Sequence, residues 1–441
     1  MVAVVGDLSR SARDCSGSRE LRVRMVAEMT SSGIVIAGAG LCGGNAAATL
    51  RDEGYRERVL LIGDEPGAPF GRPPLSKTYL RGEEDLAGWM VRPDAWFEQN
   101  NVEHLYTRVE SVDTTAHELV LEQSHERISY DRLLIATGGR KRGLPVAGAD
   151  LAGVLGLRTV ADCDAIKRVA APGSRAVVVG MGFIGSEVAA SLQQLGVDVT
   201  AVLSGAGPLA QVLGDEVGSV MAAIHREKGV TLVPNDSVIA FQGDGRVERV
   251  QTRSGRMLEC DFTVVGVGID PADDIARRSG IATDNGLLVD ERCRTSAADV
   301  YAAGDVANHL HPVFGRLRVE HYNNGERQGR AAARAMLGDG APYADLHSFW
   351  SDQYEHAIEY VGYARRWDEF VVRGSLEERR FLGFYLQGGR VVAVMGLNRG
   401  GDPELDEEGE LAAARALVRD HLEVPPAVLE DEGSDLLRLP R

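Results

Sequence analysis

The turn FGRPPLSKTYL, Phe70 to Leu80, carries two cations, Arg72 and Lys77, on either side of a proline pair. The prolines fix φ and remove backbone donors, so the turn is stiff. Ser76 reads as the cap of the helix that follows. An ammonium on so rigid a mount suits a directed electrostatic task, the stabilisation of negative charge developing on a ring that accepts electrons. The plainer alternative is a pair of surface cations on a turn.

Two glycine runs offer a second kind of chemistry. In GAGLCGG, Gly38, Gly40 and Gly43 permit a tight turn, close approach of backbone to a pyrophosphate, and close packing of the next helix, whose first amides point at the ligand. GMGFIGSE repeats the pattern with Gly180, Gly182 and Gly185. Each run follows a β-branched stretch and precedes an Ala-rich one, the strand–turn–helix context that gives the pattern meaning. Two nucleotide sites are implied. Asp64, at the end of VLLIGDE, is spaced to accept from both hydroxyls of an adenosine ribose. Asp305 of ADVYAAGDVA sits in a glycine turn after a strand, placed to accept from a polyol hydroxyl of a cofactor lying across the sheet.

These residues need a scaffold of parallel strands. IVIA, RAVVV, YDRLLIATGG, CDFTVVGVGIDP and ADVYAAGD are apolar runs ending in glycine turns. From FWSDQY onward the pattern becomes that of antiparallel strands, followed by an acidic helical segment. A length of 441 residues leaves room for about three domains. With 44% hydrophobic and 26% charged residues the composition is globular, and the net charge of -17 argues against nucleic acid or anionic lipid as the main partner. The five cysteines, Cys15, Cys42, Cys163, Cys260 and Cys293, form no C-x-x-C or C-x4-C pair. That excludes a redox dithiol and an iron–sulfur cluster held by this chain alone. No run approaches the ~20 apolar residues of a membrane span, and residues 1–31 fail as a secretory signal. They read as a disordered tail with Met25 or Met29 as alternative starts, on a cytoplasmic protein.

The ordered set GAGLCGG, GRPPLSK, ATGG, GMGFIGSE, YAAGDVA, EHYNNGERQG and FWSDQY resembles the FAD-dependent ferredoxin reductases of oxygenase systems, over about residues 32 to 400. The resemblance implies an α/β, glutathione-reductase-like fold of two Rossmann-type nucleotide-binding domains and a C-terminal α+β domain. FAD would be bound noncovalently by residues 32–150 and 270–335, NADH or NADPH by 151–269, and the flavin covered by 336–441. Gly38, Gly40, Gly43, Asp64, Arg72, Lys77, Ala136, Thr137, Gly138 and Asp305 would border FAD. Gly180, Gly182, Ile184, Gly185, Leu203, Ser204 and Gly268 would border the nicotinamide nucleotide. Glu187 would meet Lys77 close to the flavin, the two setting the local charge. Tyr322 would lie over or beside the ring, and Trp350 at its contact with the C-terminal domain. The implied activity is hydride transfer from NAD(P)H to FAD, then single electrons to a [2Fe-2S] ferredoxin serving a P450 or a dioxygenase, in a monomer or homodimer.

Several positions depart from that pattern. Leu203 stands eighteen residues beyond Gly185, where the family usually has Glu or Asp, and Ser204 follows it. Charged hydrogen bonds of roughly 1.5 to 3 kcal/mol each are lost there, which weakens NADH binding at least tenfold unless Ser204 or a neighbouring loop compensates. Tyr322 replaces a usual Trp, Glu326 an apolar residue and Ala272 an Asn. The densely acidic start of DPELDEEGELAAARALVRDHLE suits an acidic ferredoxin poorly, while Arg365, Arg366, Arg373, Arg379, Arg380 and Arg390 offer a basic landing surface elsewhere. His309 and His311 place two rings on one side of an extended segment with no third ligand near in sequence. Two other readings stay open: a flavoenzyme acting directly on a small organic substrate in the nicotinamide cleft, and a redox-sensing flavoprotein in the manner of apoptosis-inducing factor.

Overall fold

The computed structural model describes residues 32–406 and 408–439. The expected tail, with Cys15, Met25 and Met29, lies outside them.

Ile34–Ala37 is buried along its whole length, as a strand covered on both faces must be. It is the centre of a parallel five-stranded sheet in the order Val300–Ala302, Arg132–Ile135, Ile34–Ala37, Val59–Gly63, Val102–Tyr106. In register, Ile36 lies opposite Leu61 on one side and Leu134 on the other. The helix Leu41–Asp52 covers one face with Ala46, Ala47 and Leu50, and the helix Tyr322–Met336 packs on it. Small side chains let those two helices approach: a Cβ on Gly329 would lie 2.4 Å from the Cys42 carbonyl oxygen.

A second parallel sheet repeats the plan in the order Thr231–Val233, Asp198–Val202, Arg175–Val179, Phe262–Val265, Val154–Gly156. The helix Phe183–Gln194 follows its central strand. Where the chain passes between the units, Gly139–Lys141 pairs antiparallel with Ile269–Pro271.

The last sheet is antiparallel, Ser348–Gln353, His356–Gly362, Arg390–Leu397, Arg380–Gln387, Glu369–Ser375. The interior strand Arg380–Gln387 is apolar along most of its length because both faces are covered. Val371, Leu382, Phe384 and Val394 meet the helix Glu410–Arg419 on one side. Phe381, Tyr385 and Met395 meet Leu213, Val217 and Met221 of the second unit on the other. Two mixed α/β units joined to an antiparallel sheet with its helix is the expected fold class.

The C-terminal charges differ from expectation. Arg373 is 3% exposed, its guanidinium bonded to Glu410 and to the carbonyls of Glu432 and Ser434. It clamps the chain end and offers no landing surface. Arg379 is paired with Glu227 and Arg390 with Glu423, leaving Arg365, Arg366 and Arg380 as exposed cations. The acidic segment is paired within the fold: Glu404 takes Arg327 and Arg415, and Glu410 takes Arg373 and Arg399.

Candidate functional site

Both glycine turns have the shape that a pyrophosphate needs. The helix Leu41–Asp52 starts on Gly40 and the helix Phe183–Gln194 on Gly182; neither has a side-chain cap or an acid in its first turn. Their leading amides are therefore left for a ligand. Nothing lies within 4 Å of where a Cβ on Gly40 or Gly182 would stand. The third glycines are different: a Cβ on Gly43 would be 1.9 Å from the Gly38 carbonyl oxygen, and one on Gly185 2.0 Å from that of Gly180. One glycine in each turn keeps the ligand side open, and another lets helix and turn touch. The two cradles fit an FAD and a nicotinamide nucleotide.

Beside the first cradle, a Cβ on Gly38 would meet the Ala136 carbonyl oxygen at 2.1 Å, so the ATGG turn closes against the glycine run. Thr137 Oγ1 donates to the Ala272 carbonyl at 2.8 Å, and Ala272 N–H donates to the Gly138 carbonyl at 2.9 Å. The Asn-to-Ala departure at position 272 thus leaves this backbone clasp intact. Asp305, in the turn Gly304–Val306, accepts from Arg158 at 2.7 Å. Asp64 is half-exposed and paired with Arg108. Its neighbour Glu65 is the better held acid, bound to Arg72 at 2.7 Å and accepting from Val160 N–H at 2.9 Å. Glu65 and Arg158 went unnoticed in the sequence because neither belongs to a glycine motif.

The GRPPLSK turn brings Lys77 to the second unit. Pro73–Ser76 forms a single tight turn, then Thr78–Arg81 a short helix without a side-chain cap. Ser76 does not cap it: its hydroxyl donates to Glu187 Oε2 at 2.5 Å, drawn to a buried carboxylate with unfilled lone pairs. Lys77 Nζ lies 3.1 Å from Glu187 Oε1, and Ser351 Oγ donates to the same oxygen at 2.7 Å. Glu187, 4% exposed, is thus compensated by residues from separate parts of the chain.

Aromatic rings gather beside that pair. Lys77 Nζ lies 5.8 Å from the Trp350 ring centre. Tyr322 meets Trp350 edge-on at 5.5 Å and Trp89 at 6.0 Å, while Trp89 and Trp350 stack at 6.5 Å. The ring of Tyr322 also covers Gly71, where a Cβ would come within 2.4 Å of it. Trp89 was missed because GEEDLAGWM has no periodicity to mark it. Glu326 is paired with Arg330 on the next turn of its helix. Opposite Trp350 across the strand pair stands Glu359, whose carboxyl is pushed up to about 8, first by burial and then by Asp402 and Asp352, with Lys77 opposing.

In the second unit Ile184 is exposed and Gly268 lies in a left-handed turn. Leu203 contradicts its expected place at a ribose. It is 4% exposed and shares a core with Val199 and Ala201. Leu203 N–H bonds the Val233 carbonyl, extending the strand by one residue, so the two-residue repeat turns its side chain inward. Ser204 is the first outward residue and accepts from Gln211 Nε2 at 2.9 Å. The histidine pair is also more than its sequence spacing indicates, since His347 packs at 5.4 and 5.1 Å from His309 and His311. Among the described residues no acidic, thiol or imidazole group has the geometry of a metal site.

Residues 32–329 match the family model described as pyridine nucleotide-disulphide oxidoreductase, and residues 348–439 the model described as reductase C-terminal. Rhodocoxin reductase of Rhodococcus erythropolis is 35% identical over 91% of this chain and 93% of its own. The biphenyl dioxygenase system ferredoxin–NAD(+) reductase component of Paraburkholderia xenovorans is 36% identical over 91% of this chain and 97% of its own. The crystal structure of a covalent putidaredoxin reductase–putidaredoxin complex aligns with a TM-score of 0.86 at 33% identity, covering 92% of this chain and 97% of that one.

Proposed function

This chain belongs to the pyridine nucleotide-disulphide oxidoreductase family, among its ferredoxin reductases, and from that premise we propose that it moves electrons from NADH or NADPH through FAD to a [2Fe-2S] ferredoxin serving a P450 or a dioxygenase. The observation that carries the reading is the pair of open glycine cradles with the Lys77–Glu187 pair joining the two units and Trp350 of the C-terminal sheet beside it. FAD, when bound, supplies the change from two-electron to one-electron chemistry that joins a nicotinamide donor to a ferredoxin.

The rest is the work of the chain. Gly38, Gly40 and Gly43 seat the FAD pyrophosphate, Ala136–Gly138 border it, and Asp305 with Arg158 faces its polyol. The acid at the strand end, Asp64 or the neighbouring Glu65, takes the adenosine ribose. Gly180, Gly182, Ile184, Gly185 and Gly268 frame the nicotinamide nucleotide. Ser204 and Gln211 present neutral groups beyond the strand end, which suits acceptance of both NADH and NADPH without strong preference. Lys77 places positive charge beside the ring, and buried Glu187 limits it. Tyr322 and Trp350 cover the ring and shield it from water. Exposed Arg365, Arg366 and Arg380 provide cationic contacts for an acidic partner.

In this reading residues 32–150 and 270–335 bind FAD, 151–269 the donor, and the part from 336 onward covers the flavin. Two pairings support the division: Val300–Ala302 returns to the first sheet, and Val154–Gly156 joins the second. A monomer or homodimer in the cytoplasm completes the proposal; Cys42, Cys163, Cys260 and Cys293 are free thiols. The test is anaerobic mixing of the yellow protein with NADH or NADPH in a stopped-flow instrument. Flavin bleaching at tens per second or faster is expected, and no bleaching at millimolar donor rejects the reading.

A further inference from the structure

Behind Glu187 a line of buried polar side chains runs away from Lys77 and crosses from one unit to the next. Ser351 Oγ donates to Glu187 Oε1 at 2.7 Å, and Gln353 Nε2 donates to Ser351 Oγ at 3.2 Å. His225 Nε2 stands 3.0 Å from Gln353 Oε1, and Tyr354 OH stands 3.2 Å from His225 Nδ1. Ser351, Gln353 and His225 are each no more than 1% exposed, so these groups are shut off from solvent and bond along the line.

Bond polarity along this line is fixed from its inner end. A carboxylate only accepts, so the single Ser351 proton goes to Glu187 and Ser351 must accept from the Gln353 amide nitrogen. That turns the Gln353 oxygen toward His225, which must carry its proton on Nε2. Nδ1 is then the acceptor for the Tyr354 hydroxyl. Every donor along the line therefore points toward Glu187, and aligned bonds polarise one another.

We infer that His225 is a positioning residue for the Lys77–Glu187 pair: through Gln353 and Ser351 it aims a chain of aligned dipoles at the Glu187 carboxylate and moderates the negative field that this carboxylate sets beside the flavin. Burial holds the imidazole down to about 4, which keeps it neutral at physiological pH with the single N–H the chain requires. His225 lies on the helix Asp215–Glu227 of the second unit and Gln353 on the C-terminal sheet, so the line also ties the docking of these elements to the charge at the site. Only the assignment of the Lys77–Glu187 pair to a flavin rests on the proposed function.

Two measurements on the FAD-loaded protein test this. Side-chain 15N NMR of His225 at pH 7 should report a neutral ring protonated on Nε2; protonation on Nδ1, or on both nitrogens, overturns the inference. Chemical reduction against a reference dye then gives the two-electron equilibrium constant. His225→Phe removes the aligned dipoles, leaves the site more negative and should disfavour reduction about three- to tenfold, where tenfold is about 30 mV for a two-electron couple. Tyr354→Phe, which keeps the ring, should shift it the same way by less. In a Glu187→Gln background, where no carboxylate fixes the polarity, the His225→Phe effect should fall below twofold. Equal shifts in both backgrounds, or no shift with either variant, refute the inference. Because the reductant is chemical, these results are read even if neither NADH nor NADPH proves to be the donor.

Discussion

Gly40→Ala and Gly43→Ala differ by three positions on one turn, yet the structure assigns them opposite consequences. At Gly40 the backbone has φ -84, open to any residue, and a Cβ would meet nothing within 4 Å. The methyl costs the fold little: lost conformational freedom in the unfolded chain offsets a weaker helix start, leaving the folded protein within about 1 kcal/mol of the parent. That methyl does occupy the space through which a pyrophosphate must approach the helix amides, so FAD affinity should fall at least 100-fold, about 2.7 kcal/mol. At Gly43 the new Cβ would stand 1.9 Å from the Gly38 carbonyl oxygen. A contact more than an ångström too short against backbone forces the turn off the helix, at about 3 kcal/mol or more. The assay is paired: thermal melts of the apoproteins, and fluorescence titration of FAD into each. Gly182→Ala in the second turn should retain FAD and lose nicotinamide nucleotide binding instead. Unchanged FAD affinity in Gly40→Ala, or an unperturbed melt in Gly43→Ala, would refute the assignment of ligand side and packing side in these turns.

Leu203→Glu places a carboxylate in a site 4% exposed. It should cost at least about 3 kcal/mol in denaturant titrations without tightening NADH; a stable variant with improved NADH affinity would show that the side chain can turn to the ribose. Lys77→Met removes the cation 3.1 Å from buried Glu187, and the expected loss is about 3–5 kcal/mol, moderated by the Ser76 and Ser351 donors that remain. Acid should destabilise the protein early. Burial holds His309 to about 3 and His321 to about 4, so both stay neutral in the fold while the unfolded chain protonates near its ordinary 6.5. Stability is therefore full above that value and falls as pH drops through it, by about 1.4 kcal/mol per pH unit for each such histidine. Urea midpoints between pH 7.5 and 4.5 should decline accordingly, and a flat profile contradicts this.

The two nucleotide-binding units were legible because their signals are local. A β-branched strand, a glycine turn and an Ala-rich helix are adjacent in sequence, and Gly38 to Gly43 need only one another and the helix they start. The Lys77–Glu187 meeting was legible only through resemblance, since 110 positions separate the two residues. Ser351, Trp89 and the His225 line were not legible at all. Their roles come from how the C-terminal sheet docks on the other units, and a serine or tryptophan carries no periodic mark of such docking. Leu203 shows the converse. Its departure from the family was visible, but the side chain's direction depends on one further backbone bond to Val233, which no sequence pattern encodes.

In the proposed activity electrons enter from a nicotinamide and leave singly to an iron–sulfur partner. The most direct measurement of this is an anaerobic titration in which the FAD-loaded protein receives one equivalent of NADH or NADPH and then two equivalents of a [2Fe-2S] ferredoxin, followed by visible absorbance and by electron paramagnetic resonance. Flavin bleaching is expected in the first step, then recovery of the oxidised flavin spectrum with a reduced-cluster signal close to two spins per flavin. A flavin that stays reduced in the presence of oxidised ferredoxin, yet reoxidises with a small organic acceptor, would contradict it.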